Sequence, residues 1–158
     1  MAPEPSRGLA LWLAQGLGAG RVPVAPGTAG TLAAVPLYLL LAQLPAWGYL
    51  LATAAVALAA VPVCGAAARR LGVHDHPSIV LDEIAGFLVA MAPAPAGWPW
   101  VVAGFVLFRL FDIVKPPPVR AADRRVGGGL GIVLDDVLAG LWAGLCLAVA
   151  GLAVGGPS

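Results

Sequence analysis

Nine of the seventeen charged side chains fall in twenty-eight consecutive residues, RLFDIVKPPPVRAADRRVGGGLGIVLDD at 109–136. Arg109, Asp112 and Lys115 recur every three residues, so on a helix they lie roughly along one side. Pro116 ends that helix just after Lys115. Ion pairing of Asp112 with Arg109 or Lys115 is the plain alternative to a chemical role. An exposed pair contributes only ~0–1 kcal/mol and gives no reason to gather further charge. Beyond the prolines, Arg120, Asp123, Arg124 and Arg125 make a short cationic helix, and the planar guanidinium fork matches phosphate oxygens. Asp135 and Asp136 follow glycines 127, 128, 129 and 131, which permit close backbone approach or positive φ. The two acids are expected to open the last apolar helix. There they repel each other unless a cation or nearby arginines intervene.

A second island, VHDHPSIVLDEIAG at 73–86, sets Asp82 and Glu83 side by side at a helix start, where the helix dipole tolerates negative charge. The pair reads either as two solvated acids or as hard oxygen ligands for Mg²⁺. His74 and His76 flank Asp75 in a loop and read as surface residues as readily as ligands. Taken together, the acids and cations suggest one assembly: acids bind Mg²⁺, and metal and cations neutralise a phosphate. Such groups are costly in an apolar setting unless they serve each other or a ligand.

An uncharged element is a candidate for the same site. RVPVAPGTAGTLAAVP at 21–36 has a Pro-Gly turn before a helix that Thr28 or Thr31 would cap, and the free N–H groups there can bind an oxyanion. GLGAG at 16–20 has the wrong spacing for a dinucleotide fingerprint, and no strand precedes it. CGAAARR at 64–70 fits a Cys-x5-Arg spacing, but it finishes an apolar helix and lacks a phosphate-cradling loop.

The elements that must position these groups are apolar. Of 158 residues, 60% are hydrophobic and 11% charged, with a mean hydropathy of +0.92; an ordinary soluble domain is roughly 25% charged. The length suits a single domain over 1–158. A net charge of +1 and the lack of a long basic stripe exclude a nucleic-acid binder. Cys64 and Cys146 lie in apolar runs, so neither a disulfide framework nor a zinc site is expected. The first twenty residues show no clear cleavage site and are expected to stay on the chain.

Alternation is rare and Ala and Leu dominate, so the expected fold is all-α, a compact bundle of five to seven helices. Pro45 divides Leu32–Leu44 from Ala46–Ala68, and PAPAGWP at 93–99 separates Ile84–Ala92 from Trp98–Phe108. Ala46–Ala68 and Val137–Val154 are long enough to span a bilayer, while the two middle pieces are short, re-entrant or simply buried. A water-soluble bundle with apolar central helices is the other reading. Trp12, Trp47, Trp98, Trp100 and Trp142 lie near the ends of apolar runs, as an interfacial belt requires. Arg69 and Arg70 after the first candidate span point its C-terminal end to the cytoplasm.

APGTAGTLAAVP, VHDHPSIVLDEIAGF, FRLFDIVKPPPVR and DRRVGGGLGIVLDDVLAG, in that order, resemble the bacterial phosphatidylglycerophosphatase A family from about residue 16 to 144. The resemblance implies an all-helical enzyme at the cytoplasmic membrane that uses Mg²⁺ to hydrolyse phosphatidylglycerophosphate to phosphatidylglycerol and phosphate. It also implies a site of Asp82, Glu83, Asp112, Asp135 and Asp136, with Arg109, Lys115, Arg120, Arg124 and Arg125, Asp123 in support, and Thr28 in the PGT turn. Departures are modest: Thr31 replaces an expected Ser, Pro77 a Gly, Pro117 an aromatic, and Gly127 a common His.

The resulting expectation is a lipid phosphomonoesterase. Asp82, Glu83, Asp135 and Asp136 hold Mg²⁺, the cations hold phosphate, and Asp112 is a candidate general base. The expected partners are the lipid substrate and the bilayer, at the bacterial inner membrane with the site facing the cytoplasm. Alternatives are a phosphatase for phosphatidic acid or a prenyl phosphate, a small transporter, and a non-catalytic helical binding protein. A transporter requires charge in mid-span, whereas here charge gathers at span edges.

Overall fold

The computed structural model describes residues 5–155; residues 1–4, the start of the segment expected to be retained, and 156–158 lie outside the described residues. Seven α-helices follow one another: α1 (Pro5–Ala14), α2 (Pro26–Leu41), α3 (Ala46–Leu71), α4 (Leu81–Met91), α5 (Trp98–Val114), α6 (Val119–Arg125) and α7 (Gly128–Val154), with a 3₁₀ segment at Gly16–Arg21 between α1 and α2. Among the described residues there is no strand, as the scarcity of alternation predicts.

Ala and Leu carry the helices, being the best formers, and proline and glycine punctuate them. Pro26 and Pro99 sit at N1 or N2 of α2 and α5, where a missing N–H costs nothing. Gly72 closes α3 in the left-handed conformation, at φ 71°. The expected divisions at Pro45 and at 93–99 both hold. Several boundaries shift, and two helix starts shift most. α2 starts at Pro26 rather than Leu32, and α7 starts at Gly128 rather than near Asp135. The glycines after Gly128 can adopt helical angles, so the helix continues through them, and Asp135 and Asp136 lie in its third turn.

α2, α3, α4 and α5 alternate in direction, and α7 runs parallel to α4 at the centre. One core joins Tyr38, Tyr49, Phe87, Leu88, Phe108 and Leu147; a second joins Ala14, Ala60, Cys64, Ile79 and Ile132 around α3. Tyr38, Phe87 and Phe108 stack edge to face in series through the first core. This topology brings the start of α2, the end of α3, the start of α4, the end of α5, α6 and the first third of α7 to one end of the bundle. All the charged side chains that the structure describes fall there.

The opposite end and the flanks are apolar and open. Trp47, Leu50, Leu51, Leu58, Trp98, Val102, Leu141, Leu145 and Leu152 are all exposed. α3 and α7, at 26 and 27 residues, are long and apolar enough to cross a bilayer. At ~1.5 Å per residue each is about 40 Å long.

Candidate active site

The site begins with a helix crossing. A Cβ on Gly140 would lie 2.3 Å from the Gly86 carbonyl oxygen, and one on Gly86 would lie 2.6 Å from that of Asp136. The backbones of α4 and α7 therefore touch, which only glycine permits at this separation. Asp82 precedes Gly86 by four residues and Asp136 precedes Gly140 by four, so each acid stands one turn from the crossing on the same helix face. Parallel helices joined at that point bring the two acids together.

Asp82, Glu83 and Asp136 offer carboxylate oxygens that all lie within 4.8 Å of one another. Asp82 and Asp136 are 5% and 3% exposed. Asp82 Oδ1 and Glu83 Oε2 are buried and make no hydrogen bond. An unpaired buried polar atom costs about 1–3 kcal/mol, and more when charged. Burial pushes Asp82 well above the usual carboxylate range, and the charges of Glu83 and Asp136 push it further. Burial also raises Glu83, to about 7; Asp112 adds to the rise and Arg109 opposes it. Three close acids cannot all ionise without a cation among them. Hard oxygen donors in this number, two of them partnerless, fit a divalent ion such as Mg²⁺.

Asp135, one residue before Asp136, is turned about 100° around the helix and faces elsewhere. Its Oδ2 accepts a hydrogen bond from Lys115 Nζ at 2.6 Å, and the same ammonium donates to Asp123 Oδ1 at 3.0 Å. The expectation that Asp135 joins the metal ligands is therefore not met in this geometry. Lys115 sits at the C-cap of α5 in the left-handed conformation, at φ 51°, and its side chain ties α5 to α6 and α7. Burial alone would lower its pKa, but the hydrogen bonds and charges of Asp135 and Asp123 raise it.

Arg109 faces the acidic cluster from α5. It pairs with Asp112, three residues on, and lies 4.0 Å from Glu83 Oε1. Its Nε is buried with no partner. The start of α2 completes this wall: a Cβ on Gly27 would sit 2.5 Å from Glu83 Oε1 and 3.1 Å from Arg109 Nη1. Glycine at 27 thus admits both side chains against the helix terminus, whose first N–H groups have no intrahelical partner.

The expected caps differ. Ala25, left-handed at φ 49°, is the N-cap of α2, and no side chain caps it. Thr31 is buried and donates its hydroxyl back to the Gly27 carbonyl at 2.9 Å, while Thr28 is half-buried in the first turn. Arg120, Arg124 and Arg125 are exposed on α6 and pair with no described acid; Arg120 donates to the Val114 carbonyl. His76 turns inward to Ser78. Cys64 is buried within α3 and Arg70 is exposed, so the Cys-x5-Arg spacing builds no loop.

Comparison with known proteins follows the same lines. A family model described as Phosphatidylglycerophosphatase A matches residues 12–151. Phosphatidylglycerophosphatase A of Escherichia coli (strain K12) is 45% identical over 130 residues, covering 82% of this chain and 76% of the relative. Phosphatidylglycerophosphatase A of Haemophilus influenzae is 44% identical over 133 residues, covering 83% and 82%. A Bacteroides thetaiotaomicron protein, provisionally named a phosphatidylinositol-3-phosphatase, is 38% identical over 154 residues, covering 93% and 96%. No solved structure matches.

Proposed function

The chain belongs to the phosphatidylglycerophosphatase A family, and we propose that its acidic cluster and Arg109 together hydrolyse phosphatidylglycerophosphate to phosphatidylglycerol and phosphate. It is a phosphatase of phospholipid metabolism. The observation that carries the site assignment is the meeting of partnerless Asp82 Oδ1 and Glu83 Oε2 with Asp136, under a guanidinium whose Nε is also partnerless.

Asp82, Glu83 and Asp136 would hold Mg²⁺. Bound there, the ion would polarise a phosphoryl oxygen and lower the pKa of an attacking water. Arg109 would donate from Nε to a phosphoryl oxygen and offset the charge gathering on the phosphate. Asp112, taken up by Arg109, orients that guanidinium rather than serving as the general base. The free N–H groups of Gly27 and Thr28 supply further donors for a phosphate oxygen. Lys115 and Asp135 hold α5, α6 and α7 in register and take no direct part. Arg120, Arg124 and Arg125 draw an anionic head group toward the site.

A lipid substrate also accounts for where the charge is. Polar chemistry at one end of an otherwise open apolar body suits a protein seated in a bilayer with its site at the head-group level. Arg69, Arg70 and the α6 arginines at that end favour the cytoplasmic face of the inner membrane.

Phosphate release from phosphatidylglycerophosphate in mixed micelles, with Mg²⁺ or with EDTA, tests this reading. Phosphatidic acid and phosphatidylinositol 3-phosphate serve as comparators. Mg²⁺-dependent release, fastest from phosphatidylglycerophosphate, is expected. Release undiminished by EDTA removes the metal, and faster release from either comparator removes the substrate.

A further inference from the structure

Away from the acidic cluster, α3, α4 and α7 diverge and leave an apolar groove of about 370 Å³, within the ~300–1,000 Å³ of ligand pockets. Leu50 and Thr53 of α3 form one wall, Leu141, Leu145 and Ala148 of α7 the other, and Val89 of α4 with Pro93 the floor. We propose that this groove holds an acyl chain of the lipid whose phosphate is hydrolysed at the other end of the same three helices. The proposal rests on the lipid-phosphatase reading above.

Two observations select this occupant. The first is distance. α4 places Val89 seven residues beyond Asp82, and α7 places Leu141 to Ala148 five to twelve residues beyond Asp136. At ~1.5 Å per residue, the groove begins about 8 Å from the acids and ends about 18 Å from them. A glycerol between two phosphates spans a comparable length, so a lipid with its terminal phosphate at the acids reaches this depth as its acyl chains begin.

The second is direction. α3 runs antiparallel to α7, with Cys64 near Asp82 and Asp136 and Thr53 eleven residues back toward the groove. Site and groove therefore share three walls, and a molecule lying along them contacts both.

The test compares dioleoyl phosphatidylglycerophosphate with its deacylated, water-soluble head group, each assayed for phosphate release with Mg²⁺. Leu145→Trp and Ala148→Phe fill the groove without touching the acids. Each is expected to raise KM for the diacyl lipid about tenfold, as the loss of two buried methylenes would. Turnover of the head group should stay within about twofold. An unchanged KM for the diacyl lipid in both groove-filling variants overturns the proposal, and so does equal loss on both substrates in variants that melt at the wild-type temperature. If either filling variant does not fold, Leu141→Ala, which enlarges the groove, must change the preference between short-chain and long-chain lipid; no change also overturns it. Absence of phosphate release by the wild-type protein from either substrate would instead remove the phosphatase reading itself.

Discussion

Gly86 and Gly140 meet backbone to backbone where α4 crosses α7, and the acids one turn before each, Asp82 and Asp136, meet as a consequence. The crossing sets the separation of the two acids. Gly140→Ala would place a methyl 2.3 Å from a backbone carbonyl oxygen that no rotamer change can move. Overpacking of this kind costs about 1–3 kcal/mol. The expected result is a lower melting temperature and a Mg²⁺ requirement raised at least about tenfold. An unshifted Mg²⁺ titration in the folded variant would show that the crossing does not set the site.

Adjacent acids on α7 should behave differently. Asp136→Asn is expected to abolish Mg²⁺-dependent phosphate release, by about 10²-fold or more, the scale for removing one electrostatic contact to a developing charge. Asp135→Asn instead leaves the Lys115 ammonium only the exposed Asp123 carboxylate among the described acids and should lower thermal stability while leaving the Mg²⁺ midpoint in place. The double variant Lys115→Met, Asp135→Asn should regain part of that stability, since the half-buried, under-compensated ammonium is gone. Equal shifts of the Mg²⁺ midpoint in both single Asn variants would contradict this division of labour.

Arg109 is expected to act on the phosphate and not on the metal. Arg109→Lys keeps a charge but loses the fork that serves Asp112 and leaves Nε free. Steady-state kinetics should show kcat/KM down about 10²-fold, with the Mg²⁺ midpoint within about threefold of wild type. A wild-type kcat/KM in the Lys variant would remove the guanidinium from the mechanism.

The metal-free protein should be less stable at higher pH. Glu83 is raised from 4.5 to about 7 in the folded state, chiefly by burial. Between those values the unfolded chain binds fewer protons than the native one, so stability falls as pH rises through this window and then levels off. Asp82 shifts in the same direction. In EDTA, the melting temperature at pH 8 should lie below that at pH 5. Saturating Mg²⁺ should raise it far more at pH 8, because binding requires deprotonated ligands. A melting temperature that rises with pH in EDTA would contradict the shifts.

Much of this was legible in the chain. Ala- and Leu-rich runs broken by Pro45 and by 93–99 foretold helices, and the placement of Asp82 and Glu83 at a helix start held. What failed was helix phase. Asp135 and Asp136 read as a pair because they are adjacent, yet neighbours on a helix point about 100° apart once the helix has begun. The signal for that was weak, because the glycines from 128 to 131 resemble a loop until a helix runs through them.

The sequence does carry a clearer signal. DEIAG at 82–86 and DVLAG at 136–140 repeat an acid four residues before a glycine, which marks both the acids that meet and the crossing. Arg120, Arg124 and Arg125 matched phosphate by residue type alone, and no periodicity showed that α6 would leave them exposed. The groove beside Thr53 lay beyond sequence reading, because it arises from divergence of three helices that are each simply apolar.

The most direct test of the account is equilibrium binding of Mn²⁺, followed by its paramagnetic signal and competed with Mg²⁺, to the wild-type protein and to Asp82→Asn, Asp136→Asn and Asp135→Asn. Binding that Mg²⁺ displaces is expected, lost in the Asp82 and Asp136 variants and kept in the Asp135 variant. Binding that survives both Asp82→Asn and Asp136→Asn, or that is lost with Asp135→Asn alone, would contradict it.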